Sequence, residues 1–256
     1  MTVETLLRLA LVPTAVWLAS LAARRWGHAI SGYLGGLPMI GGPITLFLAL
    51  DLGTAFAARS ALFTLAAIVG QGAHLLAFAY AARSGSWMLA LASGWAAFFL
   101  ASAAVAMLPL QPAGALALAV LALLAAARWL PREKAATVAP RIPPIELRLR
   151  VLAAFGLAAL ILFSAPVFGP VVSGVLLSLP VTGTIMPPFT LALYGYDALA
   201  RLLRGFVVGL SGFTAFFATL AATLAPWGIV PAFTVALGLA LATVFAVDRA
   251  ARGPRP

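Results

Sequence analysis

Two clusters of proline and glycine lie within apolar segments and share one spacing. The first, I-S-G-Y-L-G-G-L-P-M-I-G-G-P, contains Pro38 and Gly41, and the second, V-S-G-V-L-L-S-L-P-V-T-G-T-I-M-P-P, contains Pro180 and Gly183. Proline removes a backbone donor and clashes with the preceding helical turn, and glycine weakens a helix by about 1 kcal/mol. Each cluster therefore predicts a broken helix, whose free N–H groups and partial positive charge suit an anionic or strongly polar ligand group. The candidate substrate-binding residues at the breaks are Ser31, Pro38, Gly41, Gly42, Ser173, Pro180, Thr182, Gly183 and Thr184.

The same clusters also have a purely structural interpretation. Glycine and proline can simply kink tightly packed helices, and the pairs Gly32/Gly36 and Gly205/Gly209 fit the small-xxx-small packing pattern. Serine and threonine hydroxyls can satisfy the backbone groups that a break leaves free. Because two matched segments carry the pattern, we favour a cavity at the breaks over simple kinks.

Two polar residues lie inside another apolar segment. Gln71 and His74 are three positions apart, so a helix places them on one face. An ionisable residue at this depth is a functional candidate, and His74 could relay a proton or hold a substrate. The alternative is a neutral histidine that is hydrogen-bonded between helices. We predict no metal site and no cofactor, since the chain has no cysteine and its other histidine, His28, lies near the opposite end of a segment.

Three arginines at predicted helix ends are candidates for gating or contacting an anion: Arg59, Arg201 and Arg204. The alternative is that their side chains only extend to the membrane interface. No aspartate or glutamate is predicted at mid-membrane, which argues against coupling through a buried carboxylate.

The elements that carry these residues are predicted from composition and hydropathy. The chain is 64% apolar and only 9% charged, which excludes an ordinary soluble domain and a disordered chain. Its net charge of +10 is spread among long apolar runs, so nucleic-acid binding is not expected. A membrane-spanning helix needs about 20 apolar residues. We therefore predict an all-α polytopic membrane protein with about nine spans, at 4–22, 30–52, 58–81, 87–108, 112–130, 151–167, 171–195, 201–223 and 228–247.

The orientation follows from the basic residues. Nine spans place fourteen of the sixteen Lys and Arg residues on one side and leave only Arg8 and Arg59 on the other. The positive-inside rule then predicts an outside N-terminus and a cytoplasmic C-terminus, in what we expect to be a bacterial inner membrane. Span 1 lacks a basic region at its start, so we expect a retained helix rather than a signal peptide.

An internal repeat appears when the chain is shifted by 142 residues. Fourteen of the 53 positions from Gly27 to Ala79 are then identical to their partners, among them Pro38 with Pro180 and Arg59 with Arg201. Equivalent spans are five crossings apart, so the two halves have opposite orientations, as in many secondary transporters. The predicted units are repeat 1 at 1–110 (spans 1–4), a linker helix at 111–131, a cytoplasmic basic loop at 132–150, and repeat 2 at 151–256 (spans 6–9).

The resulting hypothesis is a transporter or facilitator that moves a small polar or anionic solute by alternating access at the breaks. The alternatives are a non-transporting membrane subunit or assembly factor, and a translocase of lipid or polyprenyl phosphate. The expected partners are the lipid bilayer and a small solute or lipid headgroup, with homo-oligomerisation left open. We predict no enzyme activity: Gly209–Gly212 resembles the G-x-S-G of rhomboid proteases, but both histidines precede the serine rather than follow it.

The element S-G-x-L-x-x-L-P, followed by an apolar run and a basic residue, resembles GlpM-like small bacterial inner-membrane proteins. The matching stretches are 31–59 and 173–201, about a quarter of the chain. The resemblance implies a duplicated and fused version of a four-helix, dual-topology unit. It implies no substrate and no site residues.

Overall fold

The computed structural model describes residues 33–132 and 144–252, together with Thr14. Most of these residues are helical, with no strand among them. Six of their helical stretches are long and apolar enough to cross a membrane. The predicted all-α membrane fold is confirmed at this level. Predicted span 1 (4–22) and Ser31 lie outside the described residues.

Eight helices follow one another along the described chain. They are α1 (Gly41–Asp51), α2 (Thr54–Ala66), α3 (Ile68–Ala81), α4 (Trp87–Ala106), α5 (Pro112–Trp129), α6 (Pro144–Leu177), α7 (Val181–Trp227) and α8 (Ile229–Arg252). A short helical turn at 33–36 precedes α1. Helix α6 begins at Pro144, so its first turn lies within the segment 132–150 that the sequence assigned to a loop. Proline suits this position, because a first-turn N–H has no intrahelical partner.

Glycines with positive φ divide the longest helices. The backbone of α6 is non-helical at Gly169 (φ 73°), and that of α7 is non-helical at Gly195 (φ 78°). Gly53 (φ 90°) stands just before α2 in the same way. Only glycine adopts this backbone region at little cost, since it has no Cβ. Gly53 and Gly195 are 142 positions apart in the sequence.

Burial separates central helices from peripheral ones. In the most apolar window of Thr54–Ser84, 67% of the residues are buried, against 17% in Ile229–Ala251. The peripheral helix α8 buries a narrow stripe of alanines at 232, 236 and 240 and exposes large apolar side chains such as Val230 and Phe245. Small residues at such spacing let helices approach closely, and the exposed apolar side chains suit lipid. The α2–α3 unit therefore forms part of the protein core.

Arginines lie at both ends of the helix bundle. At one end, Arg83 Nε donates to Tyr196 Oη (3.4 Å), and the Arg204 guanidinium donates to Ala127 O (3.4 Å). At the other end, Arg59 lines a hollow with Ala225 of α7. Arg201 lies near the opposite end of that same helical stretch, 24 residues from Ala225, or about 36 Å at 1.5 Å per residue. Arg59 and Arg201 thus lie at opposite ends of the bundle.

Candidate functional site

The first candidate feature is a pair of helix interruptions. The helical turn at 33–36 is separated from α1 by the non-helical residues 37–40, and α6 is separated from α7 by residues 178–180. Pro38 and Pro180 lie within these gaps, where the missing N–H and the ring prevent a continuous helix. Gly41 and Val181 are the first residues of the helices that follow.

The two breaks have matching backbone hydrogen bonds, made by residues 142 positions apart. These are Met39 N to Leu37 O (2.7 Å) with Val181 N to Leu179 O (2.8 Å), and Gly42 N to Pro38 O (2.8 Å) with Thr184 N to Pro180 O (2.6 Å). The shared L-P element therefore makes the same two backbone hydrogen bonds in both places, although the helix begins at Gly41 after the first break and already at Val181 after the second.

Both breaks line one cavity of about 60 Å³. A cavity needs about 10–15 Å³ of this kind of volume to hold one water, so a few water-sized groups fit. Four of the predicted site residues line it: Gly41, Gln71, Thr182 and Gly183. Most other lining side chains are apolar and include Leu34, Leu75, Leu179, Met186, Phe206, Leu210 and Phe213. We refer to it below as the break cavity.

Side-chain hydrogen bonds satisfy backbone carbonyls in and near the breaks. Thr182 Oγ1 donates to Gly35 O (2.7 Å) and so joins the second break to the first. Gln71 Nε2 donates to Ser178 O (2.6 Å), a carbonyl in the gap between α6 and α7. Thr184 Oγ1 likewise donates to Pro180 O (2.7 Å), and Ser173 Oγ donates to Gly169 O (2.9 Å). These hydroxyls therefore do satisfy backbone groups in and near the breaks, which was the structural alternative to substrate binding.

His74 lies beside the second break, close to the backbone of Gly94 and Gly183. Its side chain is fully buried, and neither ring nitrogen has a hydrogen-bond partner among the described residues. A Cβ placed on Gly94 of α4 would lie 2.9 Å from Nδ1, and a Cβ on Gly183 would lie 3.4 Å from Nε2. Since Gly183 also lines the break cavity, the ring stands directly behind the cavity wall. The ring thus lies within reach of the backbone of two other helices, at Gly94 and Gly183, without a well-aligned hydrogen bond to either.

The first break has aromatic neighbours where the second has polar ones. A Cβ on Gly41 would lie 3.0 Å from Phe217 Cζ, and a Cβ on Gly42 would lie 3.4 Å from Phe216 Cζ. Phe216 follows His74 by 142 positions, and Phe213 follows Gln71 by the same interval. The two breaks are thus alike in backbone and unlike in side-chain chemistry.

Two glycines hold the first break against α7. A Cβ on Gly36 would lie 2.7 Å from Phe206 O and 2.8 Å from Leu210 N, and a Cβ on Gly209 would lie 2.8 Å from Gly36 Cα. No side chain fits in so close a backbone contact. Gly36 and Gly209 therefore do allow close helix packing, as the structural interpretation predicted. The same contact borders the break cavity, because Phe206 and Leu210 also line it.

The remaining predicted residues lie elsewhere. Pro38, Gly42, Ser173, Pro180 and Thr184 lie in or near the breaks but do not line the break cavity. Arg59, Arg201 and Arg204 lie toward the bundle ends, away from it. Sequence reasoning missed Phe206, Leu210 and Phe213 as wall residues, although the spacing of Gly205 and Gly209 pointed to a close helix contact there.

No family model matches the chain, and no curated protein and no solved structure matches it. The GlpM-like resemblance and the inverted-repeat layout therefore remain predictions.

Proposed function

We propose that the chain is a membrane transporter or facilitator that moves a small polar or anionic solute by alternating access at the two helix breaks. The observation that carries the proposal is the convergence of both breaks on one cavity. Irregular backbone at membrane depth is tolerated where it is buried in protein or lines a cavity, and transporters place their substrate sites at such discontinuous helices.

The chemistry of the break cavity favours an anionic or strongly polar group. Helices α1 and α7 both begin at it, with Gly41 and with Val181–Gly183 among its lining residues. In these first turns the N–H groups of Gly42, Val181 and Thr184 donate to carbonyls of the breaks. The start of each helix still carries a partial positive charge, which faces the cavity. Gln71 adds an uncharged amide to the wall, and no carboxylate lines it.

The architecture we propose has about nine spans in a 4+1+4 inverted repeat. The paired positive-φ glycines, the paired hydrogen bonds at the breaks, and the opposite ends reached by Arg59 and Arg201 support it. In such an architecture, one half can rock against the other around a fixed central site. The Thr182–Gly35 hydrogen bond crosses between the proposed halves and is therefore a contact that rocking would break and reform.

Single-cysteine labelling tests water access to the cavity, and the wild-type chain offers a cysteine-free background. We expect cysteines at Gly41 and Gly183 to react with an aqueous thiol reagent. A cysteine at Ala119, which is fully buried in α5 away from the cavity, is the unreactive control, and one at the exposed Ser84 is the reactive control. If Gly41→Cys and Gly183→Cys stay unreactive in every condition while both controls behave, the proposal is lost.

A second candidate function is translocation of a lipid phosphate. It is favoured by two open hollows that each contain one guanidinium: a hollow of about 600 Å³ at Arg59, and one of about 460 Å³ at Arg83 with Tyr196. Apolar walls around a cation suit an anionic headgroup with acyl or prenyl chains. Movement of a fluorescent phospholipid between the leaflets of proteoliposomes, without flux of small anions, would favour this function. Stoichiometric co-purification with another protein, with neither activity, would instead favour a non-transporting subunit.

A further inference from the structure

Three buried polar atoms beside the second break lack partners among the described residues. They are Nδ1 and Nε2 of His74 and Oγ of Ser178. Leaving a buried donor or acceptor without a partner is unfavourable, and such groups in a native protein call for an explanation such as a bound molecule or a functional role. At the equivalent positions of the first break, the chain has Phe216 and Gly36. The unsatisfied polarity is therefore confined to one of two breaks with matching backbones.

We propose that the second break binds a small inorganic anion together with a proton carried on His74. This inference rests on the proposed transport function and specifies its substrate class and its coupling. The first break, with its aromatic neighbours Phe213, Phe216 and Phe217, then supplies apolar packing rather than ligands.

The electrostatic surroundings of His74 link the two ligands. The ring packs against Phe78 of its own helix α3, against Gly94 and Trp95 of α4, and against Gly183 of α7. None of these residues is titratable, and no charged group acts on the ring within the described residues. The neighbouring backbone of Gly94 and Gly183 can accept hydrogen bonds from a protonated ring, but no group of opposite charge pairs with it. An anion at the adjacent break would pair with that charge.

Linkage makes this coupling reciprocal, because the anion favours the protonated ring and the proton favours the bound anion by the same factor. Neither ligand alone is expected to bind well, so proton and anion would cross the membrane together without net charge movement. No carboxylate lines the cavity wall. In this proposal His74 therefore carries the proton.

The size of the break cavity limits the anion. About 60 Å³ holds roughly four to six water-sized groups, which matches an anion of about four heavy atoms. Nitrate has this size and stays charged at ordinary pH, so any proton taken up on binding belongs to the protein. It is therefore the probe of choice.

The test measures nitrate binding and proton uptake by titration calorimetry of the purified full chain in two buffers of different ionisation enthalpy. We expect one proton taken up per nitrate, and an affinity that rises about tenfold per unit fall in pH across the range in which binding protonates His74. With ¹⁵N-labelled histidine, nitrate should convert the His74 ring signals to those of the charged form. The assignment is simple because the chain has two histidines.

Three variants make the outcome decisive. His74→Gln keeps a polar side chain that cannot be protonated, and His74→Phe installs the residue of the equivalent position. Both should lose proton uptake and the dependence of affinity on pH. Phe216→Leu, at the other break, should retain both. The absence of nitrate binding, binding without proton uptake, or unchanged uptake in His74→Gln would each overturn the proposal.

Failure here is distinguishable from failure of the proposed function. If Gly183→Cys is accessible to water but nitrate brings no proton, the transporter proposal survives and the coupling through His74 does not. If Gly183→Cys and Gly41→Cys are never accessible, both are lost.

Discussion

The contact between Gly36 and Gly209 gives the sharpest structural prediction. Replacing Gly209 by alanine adds one methyl group that would lie 2.8 Å from Gly36 Cα and even closer to the carbonyl oxygen of Tyr33. Two carbon atoms pack favourably at about 3.5–4.0 Å. The turn at 33–36 and helix α7 must therefore separate by roughly 0.7–1.2 Å, or the backbone must distort.

The magnitude follows from the cost of overpacking. Forcing an extra methyl group into a well-packed contact typically destabilises a protein by about 1–3 kcal/mol. Gly156 provides the matched control, since a Cβ there meets nothing within 4 Å. Alanine in the interior of a helix is favoured over glycine by about 0.5–1 kcal/mol, so Gly156→Ala should be neutral or stabilising. Because Gly209 also lies inside a helix, this gain applies to both variants, and they should differ by roughly 1–3 kcal/mol in free energy of unfolding.

Reversible unfolding in mixed detergent micelles, followed by circular dichroism, measures this difference. A second open position, Gly238 in α8, repeats the control on another helix. If Gly209→Ala proved as stable as Gly156→Ala and Gly238→Ala, the close approach of the first break to α7 would be wrong. The position of the break cavity would then be wrong as well.

Substitutions at three further positions test the second break, by the same unfolding assay or by ¹⁵N NMR. Gln71→Leu leaves the Ser178 carbonyl without its donor and should lower the free energy of unfolding by about 1–3 kcal/mol; an unchanged value would contradict the 2.6 Å hydrogen bond. Thr182→Val should lower the free energy of unfolding by about 0.5–1.5 kcal/mol, whereas Thr182→Ser, which keeps the hydroxyl, should retain most of the stability. Equal losses in the two variants would exclude the hydrogen bond as the cause. Gly94→Ala places a methyl group 2.9 Å from Nδ1 of His74 and should shift the ¹⁵N signals of that ring, whereas unshifted signals would place the ring elsewhere.

The sequence was sufficient for the features that depend on backbone chemistry. Pro38 and Pro180 cannot donate a backbone hydrogen bond, so interruptions near them were predictable without a structure. The long apolar stretches made a helical membrane fold predictable in the same way. The small-xxx-small spacing of Gly205 and Gly209 indicated close packing, although not the partner that packs there.

The features that depend on tertiary contacts were not accessible from the sequence. Nothing in the spacing of Gln71 and His74 showed that the first would bond to Ser178, while the second would lie behind Gly183 without a well-aligned hydrogen bond. The three-residue spacing gives a shared helix face, but the helix that this face meets is set by packing. The sequence repeat showed that Phe216 stands where the first half has His74. Only the structure showed that one break therefore has aromatic neighbours and the other has polar ones.

One measurement addresses the central claim, which is that the break cavity opens alternately to the two sides of the membrane. Leu179 lines the cavity and is half-buried, so Leu179→Cys places a thiol in its wall. The protein is reconstituted in a single orientation, and a membrane-impermeant thiol reagent is applied from each side in turn, with Ala119→Cys as the unreactive control. We predict labelling from both sides, with nitrate at low pH raising the rate from one side and lowering it from the other. Labelling from one side only in every condition, or none from either side, would contradict alternating access at the helix breaks.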